Sequence, residues 1–274
     1  MASIALAASH RCGIERNDMK VASFNVNSIR ARLPIIVGWL EKNRPDVLAV
    51  QETKVQDPDF PAQAFGDIGY QAVFRGQKSY NGVALFSRHP IQGAEFGLSD
   101  EPKDEPRLVK ASVNGLTIVN TYVPQGYMAD SDKFRYKLAW FERLLTYFRE
   151  RFAPTDPVVW VGDLNVAPSP IDVYEPETKL EHVCFHPQAR EAMARVVAWG
   201  FTDLFRLHCQ DAGQYTFWDY RGPRTFEQNR GWRIDHIMGT EPVARMCRRC
   251  YIDKEPRAAE RPSDHTPIIA ELDW

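Results

Sequence analysis

Runs of apolar residues divide this chain into short strands separated by a few amphipathic helices. Val47-Leu48-Ala49-Val50 and Val158-Val159-Trp160-Val161 are continuous apolar runs, the pattern of strands covered on both faces. Lys20–Phe24, Tyr70–Phe74, Val83–Phe86, Tyr215–Trp218, Arg233–Met238, Cys250–Asp253 and Thr266–Leu272 also read as strands. Leu108–Val113 and Leu116–Tyr122 flank Asn114-Gly115, a two-residue turn signal that predicts a hairpin. Pro34 fits the first turn of a helix whose Ile35, Ile36, Trp39 and Leu40 make one apolar face before Pro45-Asp46 stops it. The longest helix is expected over Asp132–Arg151, where Leu138, Phe141, Leu145 and Phe148 recur at helical spacing and read as core. Pro187 opens a third helix that Gly200 closes. Many strands with helices at three places predict two packed sheets covered by helices.

Composition changes little in this picture. The chain has 274 residues, 44% hydrophobic and 26% charged, enough for one sizeable core. A net charge of −2 gives no global basic excess. Basic residues do cluster locally, at Arg245, Arg248, Arg249, Lys254, Arg257 and Arg261 and at Arg30 and Arg32, as solvated charge or as a phosphate-tracking face. Five irregularly spaced cysteines make no disulfide framework, and Cys247-Arg248-Arg249-Cys250 lacks the second ligand pair a zinc site needs. Reduced thiols fit a cytoplasmic protein. No apolar run reaches membrane-spanning length. Residues 1–18 read as an extended start or disordered arm, because no basic residue precedes the short apolar stretch Ile4–Ala8. Residues 19–274 then form a single domain, with no linker, low-complexity tract or repeat.

The chemistry concentrates where strands end. Gly162-Asp163-Leu164-Asn165 delivers a carboxylate and a carboxamide after a buried run, and a period of two puts both on one side of the chain. Ser263-Asp264-His265 sets an acid and an imidazole before Pro267-Ile268-Ile269-Ala270, and Gln51-Glu52-Thr53 follows Val50. Hard oxygen donors for Mg²⁺, a carboxylate to orient water and a histidine to contact phosphate are the parts of a metal-dependent phosphodiesterase. Taken singly, Asp163 is equally a turn residue and Glu52 equally a cap.

Eight motifs occur in order: Ser23-Phe24-Asn25-Val26-Asn27, Gln51-Glu52-Thr53-Lys54, Asn81-Gly82-Val83-Ala84, Asn120-Thr121-Tyr122-Val123-Pro124, Gly162-Asp163-Leu164-Asn165 with Ile171-Asp172, Phe217-Trp218-Asp219-Tyr220-Arg221, Gly231-Trp232-Arg233-Ile234-Asp235 and Ser263-Asp264-His265. Together they make the chain from about Lys20 to Leu272 resemble the exonuclease III–type apurinic/apyrimidinic (AP) endonucleases of the endonuclease/exonuclease/phosphatase superfamily. The resemblance implies a four-layered α/β-sandwich, two mixed β-sheets packed face to face and flanked by helices, with the site at one edge between the sheets. It implies Mg²⁺, with Mn²⁺ as a substitute, held by Glu52, Asn25 and Asp264. Asp163 would orient or deprotonate the attacking water, steadied by Asn25 and Asn165. His265 would contact the scissile phosphate with Asp235 as its carboxylate partner, and the Tyr122 phenol would lie near the phosphate or leaving oxygen. Asp172 is expected to hold the loop after Asn165.

The implied substrate is double-stranded DNA with abasic sites or blocked 3′ ends, acted on by a monomer in base-excision repair. Phe217, Trp232 and Ile234 match the lining of an abasic-sugar pocket, which can admit a flipped deoxyribose without its base. Trp218 is equally pocket or core. Asn27 and Gln125 join the substrate-binding set as departures: other members carry a carboxylate at the first and Asn at the second. The loop from Gly126 to Asp132 has no clear counterpart to the DNA-penetrating arginine of some relatives. Two rivals stand beside AP endonuclease. One is a specialised 3′-end-cleaning exonuclease or phosphatase. The other is a phosphoesterase of the same superfamily acting on lipid or inositol phosphates, which has no need of Trp232-Arg233-Ile234-Asp235 beside Phe217-Trp218.

Overall fold

The computed structural model describes residues 18–98 and 105–274. The N-terminal arm falls outside this range except Asp18, which opens the first strand and pairs with Asp273. In chain order the elements are β1 (Asp18–Asn25), α1 (Leu33–Asn43), β2 (Val47–Gln51), α2 (Ala62–Gly66), β3 (Gln71–Arg75), β4 (Val83–Ser87), β5 (Gln92–Phe96), β6 (Leu108–Val113), β7 (Leu116–Tyr122), α3 (Asp132–Arg151), β8 (Val158–Asp163), α4 (Pro187–Val197), β9 (Phe201–Asp203), α5 (Leu204–His208), β10 (Asp235–Thr240), α6 (Glu241–Met246), β11 (Cys247–Ile252) and β12 (Ile268–Asp273). They build two six-stranded sheets, ordered β11-β12-β1-β2-β4-β3 and β5-β6-β7-β8-β10-β9.

Both sheets are mixed. β1 runs parallel to β2, and β7 parallel to β8, at the centres of their sheets, while the other pairs are antiparallel. Alternation along the central strands explains the continuous apolar runs. Val47 and Ala49 of β2 and Val159 and Val161 of β8 face the space between the sheets. Leu48 and Val50 turn outward onto α1, against Ile36, Trp39 and Leu40. Trp160 turns outward beneath α3 and α4, against Phe148, Phe141 and Met193. The layers are therefore helix, sheet, sheet and helix, as expected. Asn114 (φ 48°) and Gly115 (φ 82°) make the two-residue turn joining Val113 to Leu116. Among the described residues no helix is long and apolar enough to cross a membrane.

The expected strand Tyr215–Trp218 is not one. Phe217 makes only isolated bridges, to Trp232 and to His265, so this segment ties two loops together instead of extending a sheet. Trp218 is fully buried and belongs to the interior. α2, β5, β9, α5 and α6 were not expected.

Candidate active site

One end of the sandwich collects the ends of strands from both sheets. Asn25 ends β1, Glu52 follows β2, Tyr122 ends β7, Asp163 ends β8, and Asp235 begins β10. Register then sets distances. Tyr122 pairs with Asp163 across parallel strands, and Asp235 pairs with Asp163 across antiparallel ones. The close approach of β8 to β7 needs Gly162: at φ 137°, a Cβ there would fall 1.9 Å from the Thr121 carbonyl oxygen. Backbone strain gathers in the adjoining loops. Asn27, Ser28, Glu52, Lys54 and Asn165 all adopt left-handed conformations, each costing on the order of 1–2 kcal/mol. Asn165 thereby leaves the two-residue period assumed for it. Its backbone N–H donates to Asp163 Oδ1 (3.0 Å) and its Nδ2 to the Val123 carbonyl (3.0 Å), so it braces Asp163.

Glu52, Asp163 and His265 offer ligand atoms all within 4.8 Å of one another. Asn25 Nδ2 donates to Glu52 Oε1 and to Asp163 Oδ2, both at 2.8 Å. Its Oδ1 accepts the Asn27 N–H at 3.0 Å, so Asn25, expected among the metal ligands, turns its nitrogen to the carboxylates and aligns them. Asp264 stands outside the three-group cluster and accepts from Asn27 Nδ2 at 2.9 Å. Asp163 and Asp235 are both buried, and facing carboxylates repel. His265 relieves them: its Nδ1 lies 2.8 Å from Asp235 Oδ2 and its Nε2 3.8 Å from Asp163 Oδ2. Burial opposes the imidazolium, but Asp235 and Asp163 outweigh it and push its pKa up to about 10. Burial, with Asp235 and Glu52 nearby, lifts the Asp163 carboxyl to about 7 against the pull of His265. Burial and the adjacent Glu52 and Asp163 hold the Tyr122 phenol well above its ordinary range, so it stays protonated beneath the Arg107 guanidinium, 4.8 Å from the ring centroid.

These groups open into a cavity of about 400 Å³ that also exposes Phe217, Trp232, Ile234 and Gln125. Phe217 lies 4.8 Å from the His265 ring, and Trp232 lies 4.5 Å from the ring of His182. Gln125 accepts the Tyr127 N–H, fixing the loop at the cavity rim. Every expected catalytic, metal-binding and pocket residue lines this cavity except Asn25, Asn27 and Asp235, each of which is hydrogen-bonded to one that does. Behind it lies support that motif reading largely missed. Thr216 Oγ1 accepts the N–H groups of Ile234 and Asp235. Ser263 Oγ donates to the Asn25 carbonyl and accepts the His265 N–H. Asp172 does hold the loop after Asn165: it receives Ser169 N–H and Oγ, Arg233 Nε at 2.7 Å and the Arg206 guanidinium. Burial works against its carboxylate, yet the two arginines bring its pKa down to about 2. Arg233, wholly buried, also pairs with Asp203 at 2.8 Å and donates to His236 Nδ1, leaving His236 Nε2 to donate to the Val166 carbonyl.

The donor set suits a hard divalent cation. Glu52 and Asp163 are carboxylates, and the site contains no thiolate pair. Asp235 Oδ1 and Gln51 Oε1 are buried oxygens without a protein partner.

A two-sheet sandwich with this constellation at its edge defines a class, and comparison with known proteins agrees. The chain belongs to the endonuclease/exonuclease/phosphatase family, whose profile matches residues 22–265. It is 34% identical to exodeoxyribonuclease III of Haemophilus influenzae over 267 residues, covering 93% of this chain and all of that protein. Among solved structures it is similar to an AP endonuclease from Archaeoglobus fulgidus (TM-score 0.92, 48% identity, 93% of this chain and all of that one). It is also similar to the 3′ phosphatase NExo from Neisseria bound to a product DNA hairpin (TM-score 0.90, 39% identity, 93% of this chain and all of that one).

Proposed function

We propose that this protein is a divalent-metal-dependent DNA phosphodiesterase that cuts on the 5′ side of abasic sites. The observation that carries the reading is the juxtaposition of Glu52, Asp163 and His265 with a pocket walled by Phe217, Trp232 and Ile234. Glu52 and Asp163 would hold Mg²⁺, with Mn²⁺ as a substitute, which when bound supplies Lewis acidity and charge neutralisation at the phosphate. Asp163, whose carboxyl lies near 7 in the metal-free protein and would be lowered beside the ion, takes the proton of the attacking water, which forms the new P–O bond. His265 stays cationic and directs Nε2–H at a non-bridging phosphate oxygen, where charge accumulates. Tyr122 keeps its phenolic proton and donates toward the same phosphate or the departing 3′-oxygen. Breaking the P–O3′ bond, with the departing oxygen taking a proton from solvent water, leaves a 3′-hydroxyl and a 5′-deoxyribose phosphate. The apolar walls take the flipped sugar, whose extrusion costs least where no base remains. The protein acts as a monomer, and its buried thiols suit a reducing compartment such as the cytoplasm.

A second reading, 3′-end cleaning, is favoured by the likeness to NExo and by His182, whose ring abuts Trp232 and narrows the cavity. One experiment separates them: cleavage of an end-labelled duplex with a single abasic analogue, beside a 3′-phosphate duplex and an undamaged blunt duplex, in Mg²⁺ or EDTA. Mg²⁺-dependent incision of the abasic strand is expected. Efficient loss of 3′-phosphate without incision selects the second reading, and full activity in excess chelator rejects the metal-dependent mechanism.

A further inference from the structure

Glu52 divides its two oxygens between two neighbourhoods. Oε1 faces Asn25 and, through it, Asp163, which lies 3.8 Å from His265 Nε2. Oε2 is held at 2.6 Å by the ammonium of Lys54. The same ammonium donates to Asn27 Oδ1, also at 2.6 Å, and Asn27 turns its Nδ2 to Asp264 at 2.9 Å. Lys54 is held here from the backbone up. It is in a left-handed conformation two residues after Glu52, and its N–H donates to the Asn81 carbonyl at 2.9 Å.

The Oε2 side therefore has the makings of a cation position of its own: one oxygen of a carboxylate, one amide oxygen, and a second carboxylate a single hydrogen bond away. An ammonium fills it. We propose that Lys54 is the resident cation of this second position, and that with the neutral Asn27 it confines the enzyme to one divalent ion, bound on the Asp163 side of Glu52. This rests on the metal-dependent reading given above. A dication on the Oε2 side would need the same two oxygens and would meet a like charge within a few Å, in a site where Asn27 brings no charge of its own. A dication on the Oε1 side instead meets Asp163 and shares Glu52 with Lys54, so its affinity is lowered by the ammonium next to it.

Counting bound Mn²⁺ in the DNA-free protein by the loss of free-ion electron paramagnetic resonance signal tests this without reference to turnover. The wild type should bind one Mn²⁺. Lys54→Met and Lys54→Gln, with folding checked by circular dichroism, should bind one ion on the order of tenfold tighter, the effect of removing a unit charge a few Å from a dication even in a watery dielectric. Lys54→Arg should behave as wild type. Lys54→Met combined with Asn27→Asp should bind two. Two ions in the wild type, unchanged affinity in both neutral variants, or a double variant that still binds one would each overturn the proposal while leaving metal dependence standing. A wild type that binds no Mn²⁺ at all would remove the metal-dependent reading and this inference with it.

Discussion

Replacing Asp235 with Asn should make His265 titrate far closer to neutrality. Asp235 is fully buried, accepts His265 Nδ1–H at 2.8 Å, and is the largest of the charges that lift the imidazole to about 10. An opposite charge at this range shifts a pKa by roughly 1–3 units. Asn keeps the size and an acceptor oxygen but removes the charge, while Asp163 remains 3.8 Å from Nε2. A fall of about 2 units, to roughly 8, is expected, equivalent to on the order of 2–3 kcal/mol between the protonation states. The sign for stability follows. A histidine raised in the folded state contributes stability that is full below its ordinary value of about 6.5 and is lost as pH rises through the folded value. Wild type should lose this contribution only as pH approaches about 10, the variant already near 8. Ring-nitrogen NMR of the metal-free protein between about pH 5 and 11 would follow the titration, with His265→Gln assigning the resonance, and thermal melts at the two ends of that range would check the linkage. At neutral pH the variant should still carry most of its imidazolium, so its loss of turnover should deepen above pH 8 when wild type holds steady. A wild-type His265 that titrates near 6.5, or an Asp235→Asn titration curve that coincides with wild type, would refute the ion-pair account.

Three further outcomes are expected. Asp163→Asn should retain the fold and bind abasic DNA but lose turnover by roughly 10²–10⁴-fold, measured by single-turnover incision; a rate within about twofold of wild type would remove Asp163 from proton transfer. Trp232→Ala should slow abasic incision more than hydrolysis of a simple phosphodiester that needs no flipped sugar, by on the order of 1–3 kcal/mol; equal slowing of both would return Trp232 to a purely structural role. Asp172→Asn should destabilise by about 3 kcal/mol in urea unfolding, because Arg233 is buried and keeps only Asp203 as a charged partner. The wild-type contribution of Asp172, whose carboxyl is held down to about 2, should be present above pH 4 and disappear as pH falls through 2, whereas the variant should lack that limb.

What the sequence made legible follows from how each feature is encoded. β2 and β8 were readable because burial on both faces writes an unbroken apolar run. β5 was not, since Gln92–Phe96 is a half-exposed edge strand with little apolar periodicity, and β9 has only three residues. Tyr215–Trp218 has strand composition, yet its Phe217 is spent on bridges to Trp232 and His265, contacts invisible to local pattern. The same division holds in the site. Glu52, Asp163, Asp235 and His265 sit in recognisable motifs at strand ends. Thr216 braces the Asp235 N–H from 19 positions away, Ser263 ties the His265 N–H to the Asn25 carbonyl 238 positions away, and Arg233 pairs with Asp172 61 positions away, none of which local spacing announces. Asp172 fell between: its loop role could be anticipated, its arginine partners could not.

The charges at the site explain why its parts belong together. Antiparallel register forces Asp163 opposite Asp235, and the ends of β1 and β2 add Glu52 on the other side. Asp264 completes four carboxylates within one chain of hydrogen bonds and ion pairs that runs from Asp235 through His265, Asp163, Asn25, Glu52, Lys54 and Asn27, the His265–Asp163 link being a 3.8 Å ion pair. Only His265 and Lys54 are cationic in that chain, so ionising every carboxylate leaves two negative charges. The metal-free protein relieves this by raising Asp163 to about 7, at the expense of the ionised carboxylate that the proposed mechanism needs as its base. On the proposed reading, Glu52 and Asp163 would hold one divalent ion, which would supply the missing two charges and keep Asp163 ionised to accept a proton. A second ion would overshoot, and it would have to displace the ammonium already placed on Glu52 Oε2. The amide at Asn27 and the lysine after Glu52 are therefore parts of one charge balance, which replacing Asn27 with a carboxylate would unsettle.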